Sequence, residues 1–68
     1  MNEIKIDTEF IKLDSFLKWA AIVSSGAEAK IIIQNGEVLV NGEICTQRGK
    51  KLRTNDCVTF EDNEYKII

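Results

Sequence analysis

The chain contains no histidine and no proline, and it has only two cysteines and one tryptophan in 68 residues. Histidine is the side chain most often used as a general base near neutral pH, and it is the commonest metal ligand. Without it, Ser24, Ser25 and the two cysteines lack the partner that usually activates a nucleophile. We therefore expect a non-catalytic protein that holds no cofactor and no metal ion.

Long apolar runs and a basic N-terminus are also missing. No apolar stretch approaches the ~20 residues that span a bilayer. The N-terminal sequence MNEIKIDTEF carries acids where a secretory signal is basic, and no long apolar segment follows it. These features predict a cytoplasmic protein with no membrane partner.

The cysteines and the acidic residues near the C-terminus form no recognisable redox or metal motif. Cys45 and Cys57 lack CxxC spacing. A disulfide between them is possible in principle, but a cytoplasmic chain disfavours it, and we interpret both as half-buried strand residues. Glu61, Asp62 and Glu64 match the spacing of no known calcium loop and are interpreted as a solvated hairpin end.

The length allows one small domain. A chain of 68 residues buries only about 60% of its unfolded surface, so its core is thin and a deep catalytic cleft is hard to build. We expect a single domain over residues 1–68 and a monomer. The chain begins with Met and ends on a predicted strand, so we also expect it to be complete and not a fragment of a larger enzyme.

The first part of the chain predicts a strand and a helix. Residues 3–6 alternate polar and apolar, as a short strand does, and residues 7–12 form a connection. Asp14 is placed to act as an N-cap for a helix of about three turns. Trp19 lies at the edge of the apolar face of that helix, which favours core packing over base stacking. The face itself is formed by Phe16, Leu17, Ala20 and Val23.

A second helix follows a break at Ser24-Ser25-Gly26. Ser25 and Glu28 form the S-x-x-E capping box that marks a helix start. Gly36 predicts its end, because glycine adopts the left-handed conformation without steric cost. The β-branched run 31–33 is compatible with a strand, but the capping box and the glycine favour a helix. Its buried face is formed by Ala29, Ile32 and Ile33.

The second half of the chain predicts strands. Asn41-Gly42 between apolar β-formers indicates a two-residue type I′ turn that joins antiparallel strands over 37–40 and 43–46. The pattern that follows predicts a strand over 56–60, a turn at 62–63 and a last strand over 65–68. The fold class is therefore α+β, with two helices packed on a small, mostly antiparallel sheet.

Between the hairpin and the later strands lies QRGKKLR, residues 47–53, the basic loop. It contains Arg48, Lys50, Lys51 and Arg53 and no acid, whereas the rest of the chain carries five bases against eleven acids. Such a density of charge suits phosphate binding, which depends on the local field and not on the net charge. Charge alone leaves open whether this stretch binds phosphates or is a solvated loop.

A set of motif residues gives the order of elements a family resemblance. The set is Ser25, Ala29, Lys30, Gly36, Val38, Val40, Asn41, Gly42, Asn55 and Asp56. With this set the chain resembles the S4-domain family of RNA-binding modules, and within it the small stand-alone YaaA-like bacterial proteins, over nearly its entire length. The resemblance implies an S4-like, αL-type RNA-binding fold. Gly26 and Gln47 depart from the family pattern, which tends to have arginine at both positions.

The resemblance implies non-catalytic binding of structured RNA, such as ribosomal RNA, transfer RNA or a ribosome-assembly particle. The alternative is a protein–protein adaptor in which the basic loop is incidental. Under the first interpretation Lys30 and Lys18 extend the basic surface from the adjacent helices. The predicted RNA-binding residues are then Gln47, Arg48, Lys50, Lys51, Arg53, Lys30 and Lys18.

Overall fold

The computed structural model describes residues 2–68. Along this part of the chain the elements are β1 (Asn2–Ile4), β2 (Ile11–Lys12), α1 (Leu13–Trp19), α2 (Gly26–Gln34), β3 (Val38–Val40), β4 (Glu43–Ile44), β5 (Lys51–Leu52), β6 (Cys57–Phe60) and β7 (Asn63–Ile67). Neither described helix is long and apolar enough to cross a membrane.

Five strands form the main sheet in the order β1-β7-β6-β3-β4. Each neighbouring pair is antiparallel except β1 and β7, which run parallel. The predicted α+β class, with a mostly antiparallel sheet, is confirmed. The assignment of 7–12 to a simple connection was wrong at its end, because Ile11–Lys12 pairs with Lys51–Leu52 in a separate two-stranded sheet.

The core lies between the helices and the main sheet. Phe16, the largest fully buried side chain, packs edge-to-face on Tyr65 of β7 with ring centroids 6.5 Å apart. Leu52 brings β5 into the same core, so the end of the basic loop is anchored by a buried side chain. The other fully buried apolar residues are Leu13, Leu17, Ala29, Ile33, Val38, Val58 and Ile67.

The predicted hairpin turn is confirmed. Asn41 and Gly42 have φ angles of 52° and 85°, and Val40 pairs with Glu43 across them. The strand expected over 43–46 is shorter than predicted, because after Cys45 donates its backbone N–H to the Val38 carbonyl the chain leaves the sheet. It continues into the basic loop.

The last hairpin is offset from its predicted position. Phe60 pairs with Asn63, so the turn lies at 61–62 and not at 62–63, and the last strand spans Asn63–Ile67 and not 65–68. Glu61 adopts a left-handed φ of 56° at this turn. Glutamate has no preference for that conformation, and the sequence pattern therefore placed the turn at the nearest asparagine.

Both helices end in Schellman motifs. At the end of α1 the N–H groups of Ala21 and Ile22 donate to the carbonyls of Lys18 and Leu17, and Ala21 has a φ of 59°. This alanine ends α1 after seven residues, which makes the helix shorter than the three turns predicted. Val23 lies outside the helix but is still buried.

The end of α2 has the same geometry with a glycine. The N–H groups of Gly36 and Glu37 donate to the carbonyls of Ile33 and Ile32, and Gly36 has a φ of 75°. The start of α2 is also as predicted, since the Ser25 hydroxyl accepts the Glu28 N–H at 3.2 Å. The carboxylate of Glu28 accepts the N–H of Ser24, one residue before the cap, at 3.0 Å.

The two helix ends predict opposite effects of alanine and glycine. Ala21→Gly should stabilise the fold by about 0.5–1 kcal/mol, because relief of the left-handed strain exceeds the entropy that glycine adds to the unfolded chain. Gly36→Ala should destabilise the fold by about 0.5–1 kcal/mol for the reverse reason. Thermal melts of both variants measure the difference. Equal shifts of the same sign would contradict it.

Candidate nucleic-acid interface

The basic loop is built on hydrogen bonds to the rest of the fold. Lys50 donates its backbone N–H to the Gln47 carbonyl at 3.2 Å and closes a turn at 48–49. Lys51 then pairs with Lys12 in the two-stranded sheet. The side chains of Arg48, Lys50, Lys51 and Arg53 are all exposed.

The start of α1 rests on the basic loop. The N–H groups of Leu13 and Asp14 donate to the carbonyls of Lys50 and Arg48 at 2.9 and 3.1 Å. These bonds satisfy donors that a helix normally leaves free at its first turn. The prediction that Asp14 is the N-cap was therefore wrong, because the N-cap is Lys12, which makes no side-chain cap bond.

Asp14 instead faces the basic loop from inside the first turn of α1. Its carboxylate accepts the Ser15 N–H at 2.7 Å and lies 3.8 Å from Nε of Arg48. The Arg48 side chain is 53% exposed, so this ion pair contributes little to stability but orients the guanidinium. Along residues 2–68 it is the one ion pair, and the remaining cations of the basic loop face solvent without a carboxylate partner.

Phe10 organises two more cations of the loop. The ammonium nitrogen of Lys51 lies 4.8 Å from the centre of the Phe10 ring, and the guanidinium carbon of Arg53 lies 5.9 Å from it. Such cation–π contacts contribute roughly 0.5–1 kcal/mol at exposed sites. Sequence reasoning did not single out Phe10. The available signal was a lone aromatic residue between polar ones in the connection before α1.

A side-chain network fixes the other end of the basic loop. The Asp56 carboxylate accepts the backbone N–H of Arg53 at 2.7 Å and the side-chain amide of Asn41 at 3.1 Å. The amide oxygen of Asn41 in turn accepts the Cys57 N–H at 2.9 Å. The loop is thus tied to the Asn41-Gly42 turn.

The same network gives the motif residues Asn55 and Asp56 a structural role. Asn55 has a φ of 82°, a left-handed conformation that asparagine tolerates better than most residues. Both oxygens of Asp56 are used in hydrogen bonds. These two motif positions therefore hold the backbone that carries Arg53.

Lys18 and Lys30 lie on α1 and α2, and of these two helices α1 begins against the basic loop. Lys18 is one turn after Asp14 on α1, and its ammonium nitrogen is 4.0 Å from the point where a side chain at Gly26 would begin. Lys30 lies one turn after Gly26 on α2 and is exposed. Positive charge therefore stands at the start of α2 although glycine occupies position 26.

Gln47 lies at the entrance of the basic loop and is exposed. With Lys50 it lines a groove of about 400 Å³ between the loop and the β3–β4 hairpin. Its carbonyl accepts the thiol of Cys45 at 3.8 Å. Cys45 and Cys57 are both free thiols and half-buried, and residues 2–68 contain no group of three or more potential ligands that could hold a metal ion.

Trp19 is placed differently from the expectation. The interpretation as a core residue was wrong, since the side chain is 59% exposed. Its indole N–H donates to the Lys5 carbonyl at 3.0 Å, which fixes the ring on the surface. Trp19 is the last residue of α1.

Two helices on a mostly antiparallel sheet, with a tethered loop rich in basic side chains, define a small α+β domain. A family model described as the S4 domain matches residues 4–68, and this chain belongs to that family. A protein of Bacillus subtilis (strain 168) named as a probable ribosome maturation protein, RlbA, is 48% identical over 60 residues, which are 88% of this chain and 84% of the relative.

Two solved structures share the fold. YbcJ from E. coli, described as having an αL motif involved in RNA binding, superposes with a TM-score of 0.75 at 28% identity, over 100% of this chain and 87% of YbcJ. The 30S ribosomal protein S4e of Thermoplasma acidophilum gives a TM-score of 0.74 at 21% identity. That match covers 88% of this chain but only 32% of the archaeal protein, and it shows the fold alone.

Proposed function

We propose that this chain binds structured RNA without catalysing a reaction on it, and that it does so on ribosomal RNA, transfer RNA or a ribosome-assembly particle. The S4-domain match, the relative named for ribosome maturation and the RNA-binding motif described in YbcJ support this assignment. The chain has no histidine to serve as a base, so the proposal gives it no catalytic step. A monomer in the cytoplasm fits this role.

The observation that carries the proposal is the construction of the basic loop. Its backbone is held at one end by the start of α1 and at the other by Asp56. Its cations nevertheless remain exposed. A loop that is ordered before binding loses less entropy on binding, so more of the phosphate attraction appears as affinity.

The chemistry of the loop suits a phosphate backbone. Arg48 and Arg53 offer planar guanidinium forks, while Lys50 and Lys51 act as mobile point charges. Contacts of this kind position a protein on RNA without reading sequence. In a folded RNA the shallow groove also displays 2′-hydroxyls, which allow RNA to be recognised by shape. The acidic remainder of the chain repels phosphates and restricts binding to this side.

The proposal is tested by salt titration of binding to a folded RNA hairpin. Four or more phosphate contacts should give a log–log slope of roughly −3 to −4, because each contact releases counterions. A duplex DNA of equal length serves as the competitor. A slope near zero, or the absence of binding at low salt, would overturn the proposal.

Gly26→Arg is expected to strengthen RNA binding. Position 26 is the first residue of α2, its surroundings are open except for Lys18, and arginine is a better helix former than glycine. One added phosphate contact should steepen the salt slope by about 0.7–0.9. Gly26→Gln is the neutral control, which should match the wild-type slope. Equal salt slopes for all three proteins would show that the start of α2 is not part of the RNA interface.

A second candidate function is the protein–protein adaptor. The observation that favours it is Ile44, 65% exposed on β4 at the edge of the main sheet. An exposed edge strand can pair with a strand of another protein. Ile44→Ser removes the exposed apolar side chain without adding a cation beside Gln47 and Lys50. In pull-downs it should weaken capture of a partner protein, whereas RNA binding through the basic loop would be retained.

A further inference from the structure

A second groove lies on the side of the molecule that carries Trp19. It measures about 300 Å³ and is lined by Ile6, Phe10, Ile11 and Trp19 together with polar side chains. That volume is at the lower end of small-ligand pockets, which measure roughly 300 to 1,000 Å³. The groove can therefore accept one flat, apolar group of modest size.

The indole of Trp19 is prepared for contact with such a group. It is 59% exposed, yet its N–H is already bound to the Lys5 carbonyl at 3.0 Å. A ring held in this way loses little further freedom when a ligand stacks on it. A single exposed apolar residue needs no explanation on its own, but here the exposed ring borders an apolar groove.

The charges around the groove indicate the rest of the ligand. Phe10 forms part of the groove wall and is also the ring beneath Lys51 and Arg53. The groove and the basic loop are thus adjacent through one side chain. The lining contains one further cation, Lys12, and one carboxylate, Asp7. A phosphate is expected at the Phe10 end, where Lys51 and Arg53 lie.

We propose that the groove between Trp19 and Phe10 binds one unpaired nucleobase of an RNA, stacked on Trp19, while the phosphate of the same nucleotide contacts Lys51 and Arg53. This inference rests on the proposed function and adds a target to it. The preferred RNA is a helix interrupted by a bulged nucleotide, because a base inside a continuous duplex cannot reach the groove. The phosphates of the flanking helix then contact the remaining cations of the basic loop.

The test uses two RNA hairpins of equal length, one fully paired and one with a single bulged adenosine. Trp19 is the one tryptophan of the chain, so intrinsic fluorescence reports stacking directly. The bulged hairpin should bind more tightly and quench the fluorescence, and the paired hairpin should not quench it. Trp19→Ala should lose affinity for the bulged hairpin by roughly 5- to 150-fold, which corresponds to about 1–3 kcal/mol per stacked base.

Two further variants separate stacking from a structural role. Trp19→Phe removes the bond to the Lys5 carbonyl, as alanine does, but keeps a ring, so it should retain most of the preference for the bulge. Ile31→Ala is the matched control, since Ile31 is also 59% exposed and lies outside the groove. It should leave the ratio of the two affinities unchanged.

The outcomes distinguish the two proposals. Equal binding of both hairpins by the wild type, or an unchanged bulge preference in Trp19→Ala, would overturn the nucleobase site and leave the proposed function standing. Salt-insensitive binding, or no binding of either hairpin, would overturn both.

Discussion

Replacing Arg48 and Lys51 together with glutamate is expected to weaken binding to structured RNAs by at least roughly 25- to 60-fold at about 0.1 M salt. Two lost phosphate contacts reduce the magnitude of the log–log salt slope by about 1.4–1.8. This value assumes that the two proteins bind equally at about 1 M salt. Over the tenfold decrease to about 0.1 M, the difference in slope then becomes the stated loss of affinity. Because phosphate contacts do not read sequence, the loss should be similar for different folded RNAs.

The matched control is the pair Lys5→Glu and Lys66→Glu, which changes the net charge equally. Lys66 pairs with Glu3 across β7 and β1, so its reversal creates a like-charge pair comparable to the one that Arg48→Glu creates with Asp14. Both double variants should remain folded in thermal melts, since Lys5, Arg48 and Lys51 are exposed and Lys66 is only half-buried, and surface charges usually alter stability by about 0.5 kcal/mol. Equal losses of affinity in the two would mean that net charge, and not the basic loop, governs binding.

The largest effect on stability is expected from Asn41→Ala. The substitution removes two side-chain hydrogen bonds, to Asp56 and to the Cys57 N–H, and places alanine at a φ of 52°. Together these losses should cost about 2–3 kcal/mol. For a domain of this size that corresponds to a fall in Tm of roughly 8–24 °C.

Two further variants help to separate the contributions to this loss of stability, namely the left-handed backbone conformation and the side-chain hydrogen bonds of Asn41. Asn41→Gly keeps the freedom to adopt a positive φ and should lose about 1 kcal/mol less than alanine. Asn35→Ala removes an exposed asparagine that makes one long side-chain bond, 3.3 Å to Glu37, and should shift stability by less than about 0.5 kcal/mol. If Asn41→Ala melts like Asn35→Ala, the Asn41–Asp56 network does not hold the loop.

The sequence predicted those helix caps and turns that depend only on residues close to one another along the chain. Ser25 caps α2 and Asn41-Gly42 forms the hairpin turn because each needs only a few neighbouring residues. The basic loop was visible as a charge cluster. Its surroundings were not, because Phe10 and Asp14 reach it only through the tertiary fold.

The errors share a physical cause. Asp14 has the chemistry of an N-cap, but the carbonyls of Arg48 and Lys50 come from far along the chain and satisfy the helix start in its place. Ala21 ends α1 in a left-handed conformation. Alanine has the highest helix propensity, so propensity alone predicts that the helix continues through this residue. Trp19 lies at the edge of an apolar face, and its exposure depends on whether a distant segment covers it.

The central claim is that this chain binds structured RNA through the basic loop. It is tested most directly by crosslinking the protein to RNA in cells and mapping the nucleotide-bearing peptides after cleavage on the carboxyl side of glutamate. That cleavage releases the whole basic loop within residues 44–61, Lys18 and Trp19 within 10–28, and Lys30 within 29–37.

The expected result is crosslinked nucleotide on the 44–61 peptide, with ribosomal or transfer RNA sequence attached. In the Arg48→Glu, Lys51→Glu variant the added glutamates divide this peptide into 44–48, 49–51 and 52–61, and all three should have lost the crosslink. Crosslinks to RNA spread evenly over all peptides and unchanged in that variant would contradict the claim. Recovery of a partner protein joined through β4, with no RNA on 44–61, would contradict it and establish the adaptor.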